Sequence, residues 1–227
     1  MRSDHPSVDI RWTAQDFADH SNVPRGTLSD YVRWESLLSK WNKRINLVAP
    51  KEVAAFWNRH AFDSYQLNQY LPEKWDRLVD LGSGGGFPGL SLGIFAKARG
   101  SSEVHLVESV GKKTSFLKTV TRELGLPVTV HTQRVEELAP LNADVITARA
   151  FAALPKLFAY AAPHLKPDGI LILPKGETAD NEVKDARVDW NFNVEAFTSA
   201  TDPNASILRI TELRAKTGPT AKTGSTQ

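Results

Sequence analysis

Leu78-Val79-Asp80-Leu81-Gly82-Ser83-Gly84-Gly85-Gly86-Phe87-Pro88-Gly89 is the stretch whose reading decides the fold. Apolar residues bracket a single acidic one, and glycines then fall at 82, 84 and 86. The pattern predicts a buried strand, a tight turn and a helix opening near Pro88. Glycine suits such a turn because the backbone bends sharply there and a ligand can approach with no Cβ in the way. The spacing is not that of a dinucleotide fingerprint, whose third glycine would stand where Phe87 is.

Working outward from that loop, strands and helices alternate from Trp75 to the C-terminal region. Strands are expected at 77–82, 103–108, 127–132, 143–149, 169–174, 191–199 and 205–213, with helices at 88–98, 111–124, 153–165 and 178–188. Short connections between alternating elements imply a parallel, doubly wound sheet covered on both faces. The last two strands are joined only by Ser199-Ala-Thr-Asp-Pro-Asn204, which is turn chemistry, so they form a hairpin with one antiparallel strand. A Rossmann-like seven-stranded α/β sheet whose last strand is antiparallel is the arrangement of class I methyltransferases. The Asp-x-Gly-x-Gly-x-Gly pattern likewise resembles the cofactor loop of S-adenosylmethionine (SAM) enzymes.

Upstream, residues 1–72 read as a helical extension. Leu28, Tyr31, Val32, Leu38, Trp41 and Ile45 make an amphipathic stripe over 27–45. A second helix is expected from Lys51 to Tyr70, with Phe56, Trp57, Tyr65 and Leu67 as packing candidates and Pro72 as its stop. Five of the six tryptophans (12, 34, 41, 57 and 75) lie in this third of the chain and are expected to pack it onto the main domain, 73–215. Residues 216–227 are polar, without large apolar side chains, and read as a disordered tail.

Composition narrows the chemistry. The chain of 227 residues has no cysteine, which removes disulfides, thiolate metal sites and thiol nucleophiles together. Methylation at pyrimidine C5, which proceeds through a cysteine adduct, is therefore disfavoured. The six histidines show no metal-ligand spacing. A formal charge of +2 permits a nucleic-acid partner without demanding one. No apolar run reaches membrane-spanning length, and the opening Met-Arg-Ser-Asp-His-Pro lacks a signal segment, so the expected location is cytoplasmic. Nothing calls for an obligate dimer, and a monomer is expected.

In a doubly wound sheet, ligands bind beyond the carboxyl ends of the strands near the switch in strand order. The second strand ends at Glu108, placed to accept hydrogen bonds from ribose hydroxyls; the alternative is a charge at a helix N-terminus. After the third strand come Gln133, Arg134, Val135 and Glu136, where an acidic or amide group commonly meets adenine and Val135 is placed to cover the ring. Arg149 follows the fourth strand and needs a partner, either a cofactor carboxylate or a neighbouring acid. Lys175 ends the fifth strand, either facing the same crevice or solvated.

These residues carry a family likeness. Trp41-Asn-Lys-Arg-Ile-Asn-Leu47, Arg59-His-Ala-Phe-Asp-Ser64, Asp80 to Gly89, Glu108-Ser-Val-Gly-Lys-Lys113, Arg134-Val-Glu136, Thr147-Ala-Arg149-Ala-Phe-Ala152 and Lys175-Gly-Glu177 resemble, in order, the blocks of the RsmG/GidB family. Members of that family methylate guanine N7 in 16S ribosomal RNA. The resemblance implies SAM as cofactor and 16S ribosomal RNA or the small ribosomal subunit as partner, with no metal and no membrane. It carries cofactor binding onto Asp80, Gly82, Gly84, Gly86, Phe87, Glu108, Val135, Glu136 and Arg149. His60, Asp63, Arg149 and Lys175 become the candidate catalytic residues, with His60 or Asp63 expected at the guanine edge.

Guanine N7 has an in-plane lone pair and no proton to lose, so attack on a sulfonium methyl needs no general base. The loop after the fourth strand, Arg149-Ala-Phe-Ala-Ala-Leu-Pro155, also lacks the Asn/Asp-Pro-Pro-aromatic signature of exocyclic-amine methylation. Phe87 and Phe151 are candidates to stack on an extruded base, with core packing as the alternative for each. Lys40, Lys43, Arg44, Lys51, Arg59, Lys112, Lys113, Lys118 and Arg122 are the expected partners of phosphate groups. The loop and fold leave two other readings open: a SAM methyltransferase for another RNA, a protein or a small molecule, and a non-catalytic RNA-binding assembly factor.

Overall fold

Arg77–Leu81 forms β1, at the centre of a seven-stranded sheet, in the computed structural model, which describes residues 12–100 and 102–216. On one side lie β2 (Glu103–Val107) and β3 (Val128–His131), both parallel. On the other lie β4 (Ala143–Thr147) and β5 (Leu165–Lys175), also parallel. β7 (Ser206–Ala215) then runs antiparallel to β5 and to β6 (Trp190–Thr198), giving the order β3-β2-β1-β4-β5-β7-β6. The seven expected strands and the terminal hairpin are all present; Ala205 donates to the Asp202 carbonyl at 3.0 Å in its turn. Strand order reverses between β1 and β4, so the crevice opens above their carboxyl ends.

Side-chain alternation splits the core in two. Leu78, Val104, Leu106, Val145 and Ile172 face α5 (Gly89–Arg99), α6 (Gly111–Leu124) and the N-terminal helices. Val79, Leu81, Val107, Ile146 and Leu171 face α7 (Leu154–Ala161) and α8 (Ala179–Asp189). Because strand side chains alternate, Asp80 lies on the Leu78 face and is aimed at α5.

The N-terminal layer shares its core with that first sheet face. α1 (Ala14–Ser21) opens on a capping box between Thr13 and Asp16, and α2 (Arg25–Ile45) follows. Tyr31, Trp34, Leu37 and Leu38 are buried along α2. Val32, expected on the stripe, is 44% exposed, because the buried arc runs through 31, 34, 38, 41 and 45 and leaves 32 turned outward. Trp34, Trp57 and Trp75 are buried, and Trp12 and Trp41 pack against the same cluster, so all five serve the core.

The continuous helix expected over 51–70 is instead broken. A single turn, α3 (Pro50–Val53), is followed by a π-helical segment Phe56–Phe62, a turn α4 (Asp63–Tyr65) and a 3₁₀ turn Gln66–Tyr70. Ala55, at φ −101° and ψ 19°, interrupts the helix, and the widened turn that follows buries Phe56, Trp57, His60 and Ala61 together. Of the expected tail 216–227, only Lys216 falls within the described residues; its amide donates to the Asp189 carbonyl at 2.8 Å. Among the described residues, no helix is long and apolar enough to cross a membrane, and no group of three or more His, Asp or Glu could hold a metal ion.

Candidate active site

Above the switch point lies a cleft of about 500 Å³, floored by the glycine loop, Phe87 and Val107 and walled by Glu108, Val135, Glu136 and Arg149. Gly82 sits at φ +71°, and a Cβ there would run into the Phe151 ring. Gly84, at φ +53°, would bring a Cβ only into ordinary van der Waals contact with the Gly82 carbonyl oxygen. Its amide donates to Glu108 Oε2 at 3.0 Å, while the Val110 amide donates to Oε1 at 2.8 Å. Glu108 therefore bridges the glycine loop and the entry to α6, so both of its sequence readings have a structural counterpart: it lines the cleft, and it accepts at a helix N-terminus. Val135 is buried in a 3₁₀ turn, and the Glu136 beside it pairs with Arg134 at 3.1 Å.

Asp80 stands apart. It is fully buried beneath the loop, against Gly89 at the start of α5, and does not line the cleft. Neither carboxyl oxygen has a well-formed hydrogen bond, and burial pushes the group up to about 7, with Ser83 and the Gly89 amide offsetting only part of the effect.

A second cleft, of about 1120 Å³, adjoins the first and is lined by Glu52, Asn58, His60, Asp63, Lys175 and Thr201, among others. Leu47, Val48, Arg149, Ala150, Phe151 and Ala152 line both. Asn42 secures one side of this seam, donating to the Val48 carbonyl at 3.1 Å and accepting its amide at 2.9 Å.

Arg149 is the hub of the other side. Its guanidinium donates to Asp63 Oδ2 at 3.2 Å, to the Arg59 carbonyl at 3.3 Å and to His60 Nδ1 at 3.2 Å, and lies 5.1 Å over the Phe87 ring. With Nδ1 accepting, the His60 proton is assigned to Nε2, which is buried without a partner. Burial first, then the Arg149 and Arg59 cations, push the imidazole down to about 3, so it is neutral at physiological pH. Asp63 Oδ1 also accepts from Thr201 at 2.7 Å and Gln66 at 2.9 Å, tying the helical layer to the β6–β7 hairpin. Phe87 is buried between His60, at 4.3 Å, and Trp34, at 4.9 Å, so it packs in the core; Phe151 is the aromatic that faces both clefts.

His60, Asp63, Arg149 and Lys175 are thus brought to one wall. Lys175 donates to the Ala152 carbonyl at 3.0 Å and to Glu182 at 2.8 Å, and is paired rather than solvated. Ser199, Thr201 and Glu182 complete the wall, and the buried Gln66 backs Asp63, without any local signal in sequence, since each meets partners on separate elements. Of the basic residues expected to meet phosphates, Lys40, Lys43 and Arg44 lie on α2 and Lys112, Lys113, Lys118 and Arg122 on α6, two helices packed together through Trp41 and Phe116, 5.9 Å apart; Lys51 lies on α3, and Arg59 lines the larger cleft. Among the described residues, none of the seven on α2 and α6 forms an ion pair with a side chain.

The smaller cleft fits a nucleoside cofactor such as SAM. Its volume lies in the small-ligand range, the Gly84 position leaves room for close approach, and an acid, an apolar cover and a cation stand at its edges. Comparison with known proteins agrees. A crystal structure of a SAM-dependent methyltransferase from Aquifex aeolicus superposes with a TM-score of 0.54 at 16% identity, over 77% of this chain and 97% of that one, which speaks for the fold. The ribosomal RNA small subunit methyltransferase G of Rhodospirillum centenum is 48% identical over 200 residues, 88% of this chain and 91% of the relative. Its counterpart in Cereibacter sphaeroides is 45% identical over 193 residues, 85% and 94% of the two chains. The family model described as rRNA small subunit methyltransferase G matches residues 27–207, and with identity of this extent across nearly the whole length, the chain belongs to the GidB family.

Proposed function

We propose that this chain methylates N7 of a guanine in 16S ribosomal RNA, using SAM, by direct displacement without a general base. The observation that carries the reading is the shared wall: a nucleoside-sized cleft adjoins a larger one along Leu47, Val48 and Arg149–Ala152, so a donor and an acceptor would meet there. The groups at that wall are already engaged. His60 is held near 3, Asp63 accepts three side-chain donors, and Lys175 is paired. A nucleophile with no proton to shed suits such a site.

SAM, when bound, supplies an activated methyl on a sulfonium. The chain's own residues bind and orient. Glu108 would accept from ribose hydroxyls, Val135 and Glu136 would meet adenine, and Arg149 would reach a carboxylate. Gly84 would allow close approach, Gly82 and Gly86 hold the turn at positive φ against Phe151 and Leu90, with Gly86 behind the cleft lining, Phe87 closes the floor, and Asp80 underlies the loop. On this reading His60 and Asp63 act through Arg149, and rate comes from holding the base still, an effect worth about 7–11 kcal/mol. The base must be unstacked to enter, and Phe151 is placed to face it. The cationic face of α2 and α6 would meet the phosphates. Both clefts are built by one chain, consistent with a monomer, and a ribosomal substrate implies a cytoplasmic protein.

Mapping N7-methylguanine on small-subunit ribosomal RNA from cells with and without this protein tests the proposal. One modification is expected to vanish and to return on complementation. An unchanged map would leave the fold without this substrate, and calorimetry with SAM would then separate another methyltransferase from a cofactor-free assembly factor.

A further inference from the structure

The loop that carries Arg149 and Phe151 is held from outside by a residue the functional reading does not use. Ala150 within it sits at φ +52°, a conformation that a non-glycine residue keeps only when its surroundings enforce it. The next residues are tied down twice. Lys175 Nζ donates to the Ala152 carbonyl at 3.0 Å, and the Leu154 amide donates to Glu182 Oε2 at 3.0 Å. The same Glu182 oxygen accepts from Lys175 at 2.8 Å, and its other oxygen accepts from Thr178 at 3.0 Å. Among the described residues, no other side chain bonds the main chain between Ala150 and Leu154.

α7 opens at Leu154 with no capping side chain of its own, so a carboxylate on α8 does the work of an N-cap from across the fold. Burial alone would raise the Glu182 carboxyl, but Lys175, Thr178 and the Leu154 amide together hold it below the ordinary carboxylate range, so it is ionised at neutral pH. The Lys175 and Glu182 side chains are 11% and 19% exposed, which limits the loss to solvent screening.

We propose that Glu182 is a positioning residue for methyl transfer, fixing the Ala150–Leu154 segment so that Phe151 stands at the seam between the two clefts. The proposal rests on the reading of that seam as the place where donor and base meet. Arg149, the one residue of this loop assigned to the cofactor, is anchored separately by Asp63, His60 and the Arg59 carbonyl, so removing Glu182 should disturb alignment at Phe151 and spare cofactor affinity.

The test uses the full chain, its Glu182→Ala and Glu182→Gln variants, and small-subunit ribosomal RNA from cells lacking the protein. Glu182→Ala is expected to lower kcat about 10- to 100-fold, the scale of a small misplacement of reacting groups. KM for RNA and the SAM dissociation constant should stay within about threefold of wild type. Glu182→Gln, which keeps an acceptor for the Leu154 amide and loses the charge facing Lys175, should fall between. Hydrogen exchange at the Leu154 amide should quicken in the same order, a readout independent of turnover. A kcat within twofold of wild type, a loss of SAM binding in step with activity, or unchanged Leu154 exchange would each overturn the proposal. Should Glu182→Ala fail to fold, the Gln variant is judged by the same criteria. A wild-type chain inert on this RNA would instead sink the functional reading, while Leu154 exchange would still judge the clamp.

Discussion

Replacing Asp80 by Asn should stabilise this protein, and increasingly so as pH rises. The carboxyl is fully buried, lacks a well-formed hydrogen bond and is pushed up to about 7. In the unfolded chain it releases its proton near 3.9. Between those values the native state holds a proton that the unfolded state has released, so stability declines as pH rises from about 4 to about 7. A displacement of about three pH units corresponds to ~4 kcal/mol once both states are past their midpoints. Relaxation and the amides opening α5 should halve this, leaving ~2 kcal/mol, or about 4–8 °C in Tm for a chain of this size. His60 works the other way. Its imidazole is held near 3, so stability rises with pH between about 3 and about 6.5, but this contribution is common to both proteins and cancels in the difference. Urea denaturation of wild type and Asp80→Asn, without cofactor, at about pH 4, 6 and 8 measures the gap. It should be small at the acid end and widest at about pH 8. A gap that is flat with pH, or a variant less stable at about pH 8, would refute the argument and mean that Asp80 is ionised and held by the N-terminus of α5.

Arg149→Met should raise the His60 pKa from about 3 without restoring it to about 6.5, because burial, the larger cause, persists; an NMR titration of the ring protons would expose the error if the value did not move. The same variant should weaken SAM binding about tenfold or more if the guanidinium meets the cofactor carboxylate. Gly82→Ala puts a methyl into the Phe151 ring at positive φ, and about 1–2 kcal/mol of backbone strain plus ~1–3 of overpacking should appear as reduced stability and reduced SAM affinity. Unchanged calorimetry would remove the close-approach role of that glycine. Substituting Lys112, Lys118 and Arg122 by Gln should flatten the salt dependence of RNA binding by about 0.7–0.9 in log–log slope for each phosphate no longer neutralised, with SAM affinity unmoved; a collapse of SAM affinity instead would mean the face had been assigned wrongly.

The sheet was legible because its signals are local. Each strand of the core is a short apolar run bounded by glycine, proline or a charged end, and the Asp202-Pro203-Asn204 turn marks the antiparallel hairpin by itself. The smaller cleft was legible for a related reason: Gly82 and Glu108 directly follow a strand end and Gly84 and Val135 come a few residues after one, so topology alone converges them. The wall between the clefts was less so. A seven-residue π segment differs from an α-helix by one hydrogen-bond step, and periodicity over so short a stretch cannot separate the two; hence 51–70 read as one helix. Val32 was misplaced because a β-branched apolar residue counts toward a stripe wherever it falls near one. Residues such as Gln66, Thr201 and Glu182 gain their roles only from partners on other elements, and nothing beside them in the chain announces it.

One lining serves both chambers, since Leu47, Val48 and Arg149–Ala152 face into each. A bisubstrate compound, a nucleoside fragment tethered to a purine along that common lining, would present its second half at millimolar effective concentration as soon as the first had docked. The gain over either fragment could reach about 10²–10⁴ from the tether alone. Escape from such an inhibitor by a single substitution on the common lining would disturb the natural occupants of both chambers together, so resistance and turnover would be traded against each other.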